Sequence, residues 1–240
     1  AMVGKYTSIG DTYKSITESL DHAGFANQLK VNLRMVNARD FEKADIGKKL
    51  ADVDAILVPG GFGEHGVMGK IKAVKYAREK KIPYLGICFG MQIATIEMAR
   101  NILGVKDAYS TEFGPLAVKD ARGPLVGLMT EWSRGAVVEK RTKDGDMGGT
   151  MRLGTYECDL KAGSLAYKVY GKKRISERHR HRYEVNAAYI KDFEEHGIVF
   201  SGMSPGGQLP EIVEIKGHPF FIGVQFHPEF KSRPYAAHPL

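Results

Sequence analysis

Cysteine is scarce in this sequence: the 240 residues hold two, Cys88 and Cys158, beside a single tryptophan. Two thiols build no disulfide framework, and the expectation is two free cysteines in a reducing, cytoplasmic setting. No apolar run approaches the ~20 residues that cross a bilayer, so no membrane association is expected. The opening Ala1-Met2-Val3-Gly4 lacks the basic, apolar and small-residue sequence of a secretion signal. Internal repeats and low-complexity tails are also missing. The formal charge of +7 invites a nucleic-acid reading, but apart from Lys172 to Arg174 and Arg178 to Arg182 the positive residues are scattered, and no nucleic acid is expected. No metal site is expected either.

What is present reads as one domain over 1–240. A hydrophobic content of 43% at this length suffices for one sizeable core. The first half alternates short apolar runs with amphipathic stretches, the pattern of strands joined by crossover helices in a mostly parallel sheet, so the expected fold class is α/β. Tyr13, Ile16, Leu20 and Ala23 recur at helical spacing before Gly24, read as a terminator. Val31 to Val36, Ala55 to Val58 and Pro83 to Ile87 read as strands. A helix over about Val67 to Lys80 turns Ile71, Val74 and Ala77 inward and leaves Lys70, Lys72, Lys75 and Arg78 to solvent. Met91 to Leu103 reads as a further helix. The second half is richer in strands, near Ile198 to Phe200, Glu211 to Ile215 and Phe220 to Phe226, and Asp144 to Gly154 reads as a mobile loop.

Cys88 lies at a strand-to-helix junction inside Gly86-Ile87-Cys88-Phe89-Gly90, the thiol counterpart of a G-x-S-x-G nucleophile elbow. A helix N-terminus favours thiolate over thiol and offers N–H groups to a developing oxyanion. Read alone, a lone cysteine is a small buried hydrophobe; the flanking glycines favour a nucleophile. A nucleophilic cysteine needs a histidine for its proton and a third group to hold the imidazole. His227-Pro228-Glu229, directly after an apolar run, supplies both. Pro59-Gly60-Gly61-Phe62-Gly63 closes an earlier strand as a plain turn or as a donor loop, and the backbone N–H groups of Gly61 and Phe89 are the candidate oxyanion hole. A phosphate-binding loop is disfavoured, because the lysine and hydroxyl residue of that motif are absent in register.

PGGFG, GICFG and HPE in this order resemble the class I glutamine amidotransferases. Ser110-Thr111-Glu112-Phe113, Gly148 to Gly154, Glu177 to Asn186 and Gln225 to Phe230 are similar, more narrowly, to the glutaminase domains of the CTP synthase family, and the resemblance runs over nearly the whole chain. It implies an α/β fold of flavodoxin-like type and hydrolysis of L-glutamine, with Cys88 forming a γ-glutamyl thioester, His227 moving protons and Glu229 orienting His227. By the same resemblance Gly61 and Phe89 cradle the oxyanion, while Gln92, Glu112, Arg182 and Tyr183 bind the α-amino acid end of glutamine, whose zwitterion asks for such groups. For Arg178 to Arg182 a solvated basic loop is the plain alternative. The resemblance further implies susceptibility to covalent glutamine analogues and delivery of ammonia to an N-terminal synthetase domain outside this chain. That domain would aminate UTP with ATP and Mg, in an enzyme that is a homo-oligomer and is activated by GTP near the Gly148 to Gly154 segment. The glutaminase step itself needs no cofactor. One departure stands out: Glu64-His65-Gly66 occupies the place where many members have an arginine, and a histidine lacks the guanidinium fork. Competing readings are a stand-alone Cys-hydrolase or γ-glutamyl peptidase, which leaves the 148–154 and 177–186 strings unexplained, and a non-catalytic module, against which the intact Cys88, His227 and Glu229 argue.

Overall fold

The computed structural model describes residues 1–5, 11–43, 45–113, 124–128, 131–134, 137–140 and 151–240. In chain order the first half runs β1 (Met2–Gly4), α1 (Lys14–Asn27), β2 (Met35–Asn37), α2 (Asp40–Lys43), α3 (Ile46–Leu50), β3 (Ile56–Val58), α4 (Val67–Lys80), β4 (Tyr84–Ile87) and α5 (Phe89–Asn101). The second half adds β5 (Val126–Leu128), β6 (Glu131–Arg134), β7 (Val137–Lys140), β8 (Arg152–Leu160), α6 (Leu165–Tyr170), β9 (Arg174–His181), β10 (Tyr183–Val185), α7 (Ile190–Glu195), β11 (Ile198–Met203), β12 (Pro210–Ile215) and β13 (Phe221–Val224).

Nine strands form one sheet in the order β2-β1-β3-β4-β13-β12-β11-β8-β9. The five from β2 to β13 run parallel, as the alternation of apolar runs and crossover helices predicts, and the strand-rich second half extends the sheet antiparallel from β13 to β9. The α/β expectation holds. β3, β4 and β13 are short apolar runs buried nearly throughout, as strands covered on both faces must be. Above them α5 is buried along almost its whole length, which makes it the most protected helix and a rigid base for its first residue. Among the described residues no helix is long and apolar enough to cross a membrane.

Four readings are corrected. Residues 31–34 are not a strand, and β2 starts at Met35, because its neighbour β1 offers only three residues to pair with. Gly24 lies inside α1, which ends at Gln28 in the left-handed conformation; the glycine is needed there because a Cβ would meet the Leu29 carbonyl oxygen at 2.7 Å. Of Asp144 to Gly154, Arg152–Gly154 belong to β8, paired with β9 from Arg152↔His181 onward, while 144–150 lie outside the described residues. The Arg178 to Arg182 segment is mostly an edge strand, not a loop: β9 alternates exposed Arg174, Arg178 and Arg180 with buried Glu177, His179 and His181, the period of a half-buried strand.

Candidate active site

Cys88 follows the last residue of β4 and precedes the first of α5, with φ 52° and ψ −103°. That backbone is strained for a residue with a Cβ, costing on the order of 1–3 kcal/mol, and such strain is held by its surroundings. The surroundings are the two glycines of the motif. A Cβ on Gly90 would come within 2.1 Å of the Val58 carbonyl oxygen on β3, and one on Gly86 within 2.7 Å of the Gly90 carbonyl carbon. The turn therefore closes only with glycine on both sides, and its Cys88 N–H donates to the Val224 carbonyl at 2.6 Å. As the first helical residue, Phe89 has an N–H with no partner inside the helix.

Register delivers the histidine. Ile87 pairs with Val224, so the chain leaving β13 passes beside Cys88 and reaches His227 three residues later. The His227 N–H donates to the Arg178 carbonyl at 2.8 Å, tying it to β9, and Phe230 stacks on its ring at 4.9 Å and 16°. His227 Nδ1 lies 2.8 Å from Glu229 Oε1. A carboxylate accepts, so Nδ1 carries the proton and Nε2 is the basic nitrogen; it is buried, with no hydrogen-bond partner among the described residues. Burial works against a charged imidazole, but the Cys88 sulfur and Glu229 outweigh it and raise His227 to about 10. The site thus sets the Cys88 sulfur beside an imidazole whose charged form is favoured.

The loop after β3 forms the opposite wall. A Cβ on Gly60 would lie 3.7 Å from Cys88 Cβ and 3.0 Å from His227 Cε1. The Gly63 N–H donates to Glu112 Oε1 at 2.7 Å, which fixes the loop from its far side. A cavity of about 370 Å³ opens at Cys88, lined by Lys5, Asp11, Tyr13, Gly61, Arg180 and His227, among others. Gln92, Glu112, Arg182 and Tyr183 do not line it. They gather beside it: Gln92 Nε2 donates to the Tyr183 carbonyl at 2.9 Å, and Glu112 feels the positive charges of Lys70, Arg182 and Lys5, though burial, the largest influence, raises its carboxyl above the usual value. Arg182 Nε is buried with no hydrogen-bond partner among the described residues. His65 lines a separate groove with Arg39, Glu64, Arg100, Tyr109 and Phe113. Gly148, Gly149 and Thr150 lie outside the described residues.

The family pattern described as "Glutamine amidotransferase class-I" matches residues 8–240. The chain belongs to the class I glutamine amidotransferases. A CTP synthase of Paramagnetospirillum magneticum is 60% identical over 240 residues, covering 100% of this chain and 43% of that relative, so the chain spans under half the length of the curated relatives it matches. Among solved structures, the Trypanosoma brucei CTPS glutaminase domain with bound acivicin superposes with a TM-score of 0.86 at 36% identity, over 99% of this chain and 88% of that one. Within the family this amidotransferase therefore groups with the CTP synthase glutaminase domains. A Thermotoga maritima glutamine amidotransferase, with a TM-score of 0.52 at 11% identity over 95% of this chain and 75% of that one, shares the fold.

Lys70 is a correction to the solvent-facing helix. It is 2% exposed, its Nζ sits 4.6 Å from the Phe89 ring centroid and 3.6 Å from where a Gly61 Cβ would be. The 3.6-residue period put it on the outer face of α4, but the loop at Gly61 folds over it, and no periodicity signals a loop's path. Burial first, then the positive charge of Lys5, lowers it to about 8, against a favourable Glu112. Since an unfolded lysine titrates near 10.4, the unfolded chain holds this proton more tightly. The resulting penalty is full below pH 8 and fades as pH rises from 8 to 10.4. Lys70→Met should therefore stabilise the fold by about 2 kcal/mol at pH 7, after allowance for the lost cation–π contact, with the gain shrinking by pH 10. Thermal melts against pH check this; a variant no more stable at pH 7 contradicts it.

Proposed function

We propose that this amidotransferase hydrolyses L-glutamine to glutamate and ammonia through a γ-glutamyl thioester on Cys88. The observation that carries the reading is the elbow thiol facing an imidazole whose other nitrogen is fixed by Glu229. The Cys88 thiolate adds to the side-chain amide carbon, and the oxygen takes up negative charge toward the N–H groups of Gly61 and Phe89. Collapse breaks the C–N bond as imidazolium His227 gives its proton to the departing nitrogen, releasing ammonia and the thioester. Water, deprotonated by His227, then attacks the thioester, and glutamate leaves with regeneration of the thiolate. Glu229 holds the tautomer throughout. Glu112, Gln92, Arg182 and Tyr183 are assigned to the α-amino acid end of the substrate.

The 60% identity to a CTP synthase supports a larger context. There the ammonia feeds an ATP- and Mg-dependent amination of UTP to CTP by a synthetase domain, in a cytoplasmic homo-oligomer activated by GTP. The glutaminase step is assigned no cofactor.

An acivicin-type glutamine analogue should label the chain once, at Cys88, as read by intact mass and peptide mapping. Labelling that persists in Cys88→Ser, or that vanishes only in Cys158→Ser, would overturn the assignment. Ammonia release should be faster from glutamine than from γ-glutamyl peptides; the reverse preference would mark a peptidase on the same fold.

A further inference from the structure

Gln225 follows the last residue of β13 and is fully buried. It stands two residues before His227, on the stretch that leaves the strand. Its Nε2 lies 3.8 Å from Cys88 Sγ, and its Oε1 accepts from Gln92 Nε2 at 3.2 Å. The same Gln92 nitrogen donates to the Tyr183 carbonyl at 2.9 Å.

That chain of contacts fixes which end of Gln225 faces the sulfur. A backbone carbonyl only accepts, so Gln92 must present its nitrogen to Tyr183; an amide nitrogen has a second hydrogen, which goes to Gln225 Oε1. Gln225 is then left with its nitrogen on Sγ, and Sγ is the acceptor that nitrogen has among the described residues. The ordinary account of a buried glutamine, two oxygen or nitrogen partners in the core, covers only one of its ends. We infer that Gln225 is a positioning residue for the nucleophile: its amide N–H donates to the Cys88 thiolate and, with the His227 imidazolium, stabilises the charged sulfur before substrate arrives. The bond is long for a neutral thiol and strengthens when the acceptor is an anion. Once sulfur is acylated it carries no charge, so the stabilisation acts on the free thiolate. This inference rests on Cys88 being the nucleophile, and the test separates the two.

The charged and titratable groups around the sulfur are His227 with Glu229 behind it, Lys5 after β1, Asp11 and Tyr13 before α1, Lys14 at its start, and Arg180 on β9; none is altered in the variants. Gln225→Met keeps length and burial but removes the donor, and Gln225→Glu keeps shape but places a carboxyl on sulfur. The measurement is the rate of Cys88 alkylation by iodoacetamide against pH, followed by peptide mass, with buried Cys158 as internal control. In Gln225→Met the alkylation profile should move to higher pH, with the rate on its rising limb about three- to tenfold lower than in the parent at the same pH and the high-pH plateau retained. Gln225→Glu should shift it further. For glutamine, kcat should fall by a similar factor and KM change less than about twofold. A Gln225→Met protein that titrates like the parent overturns the inference, as does an unshifted Gln225→Glu. Should both variants fail to fold, Gln92→Met, which frees Gln225 to rotate, must raise the titration; an unchanged profile is equally decisive. A parent that alkylates normally but releases no ammonia would sink the proposed reaction and leave the Gln225 assignment standing.

Discussion

Cys88→Ala should lower ammonia release from glutamine by about 10⁴-fold or more while leaving the fold intact, because on the proposed mechanism it removes the nucleophile of a triad and leaves only binding and oxyanion contacts. The substitution is clean. Alanine suffers the same positive φ as cysteine, so the elbow gains no relief and loses no glycine. The thiol that remains cannot substitute: Cys158 lies on β8 with its acidity strongly suppressed by burial first and by Glu211 second. Glutamine affinity should survive, since Glu112, Arg182 and Tyr183, proposed to hold its α-amino acid end, are untouched. Residual turnover within about tenfold of the parent, with the label of an acivicin-type analogue still incorporated, would remove Cys88 from the mechanism.

The Cys88 elbow and the His227–Glu229 pair were legible because each is local. Gly86 and Gly90 flank Cys88 for steric reasons that the sequence states by itself, and His227 and Glu229 are two residues apart on one turn. The register that joins them is not local: Ile87 meets Val224 across 137 positions of chain, and only the apolar runs hint at it. Gln225 was missed for that reason. It stands inside a string noted for resemblance, yet nothing in its neighbours says that it faces sulfur. Lys70 was misread because helical period reports which face of α4 is outward, not whether a glycine loop later covers it. Val31 to Val36 carried a strand pattern with too little partner strand for its first four residues, and Arg178 to Arg182 carried a period-two pattern obscured by its charge. Gln92 was placed at the site from resemblance, and the structure adds that its nitrogen is engaged with Tyr183 and Gln225. In each case, what failed to show in sequence was the identity of the neighbour.

The largest expected effect on stability is at Arg152, the first residue of β8. It is 4% exposed, donates to Glu211 Oε1, lies 3.5 Å from Glu184 and stacks its guanidinium 4.4 Å from the Tyr156 ring centroid. Glu211 is fully buried, and burial raises its carboxyl even with Arg152 present. Arg152→Met should cost about 3–5 kcal/mol at pH 7, since breaking a buried pair from one side leaves a charge uncompensated. For a chain of this size that is a fall in Tm of about 10 °C or more. The sign with pH follows from the raised carboxyl. The folded variant binds the Glu211 proton more tightly than the unfolded chain, so stability is recovered as pH falls toward the unfolded value of ~4.3 and is lost as pH rises. Pairing Arg152→Met with Glu211→Gln should restore most of the loss at neutral pH. The alternative is that His179, whose Nε2 lies 3.6 Å from Glu211, takes up a proton and replaces the lost cation. Burial, the largest influence, together with Arg152, His181 and His227, holds it neutral in the parent. If it did so, Arg152→Met would cost less than about 1 kcal/mol and would need no second substitution, and urea titrations at pH 5 and 7 distinguish the two. The same network runs from β8 through His179 and His181 to the Tyr183 carbonyl, the acceptor on which Gln92 and Gln225 are ordered. Arg152→Met should therefore also slow Cys88 alkylation, in proportion to how far Tyr183 moves.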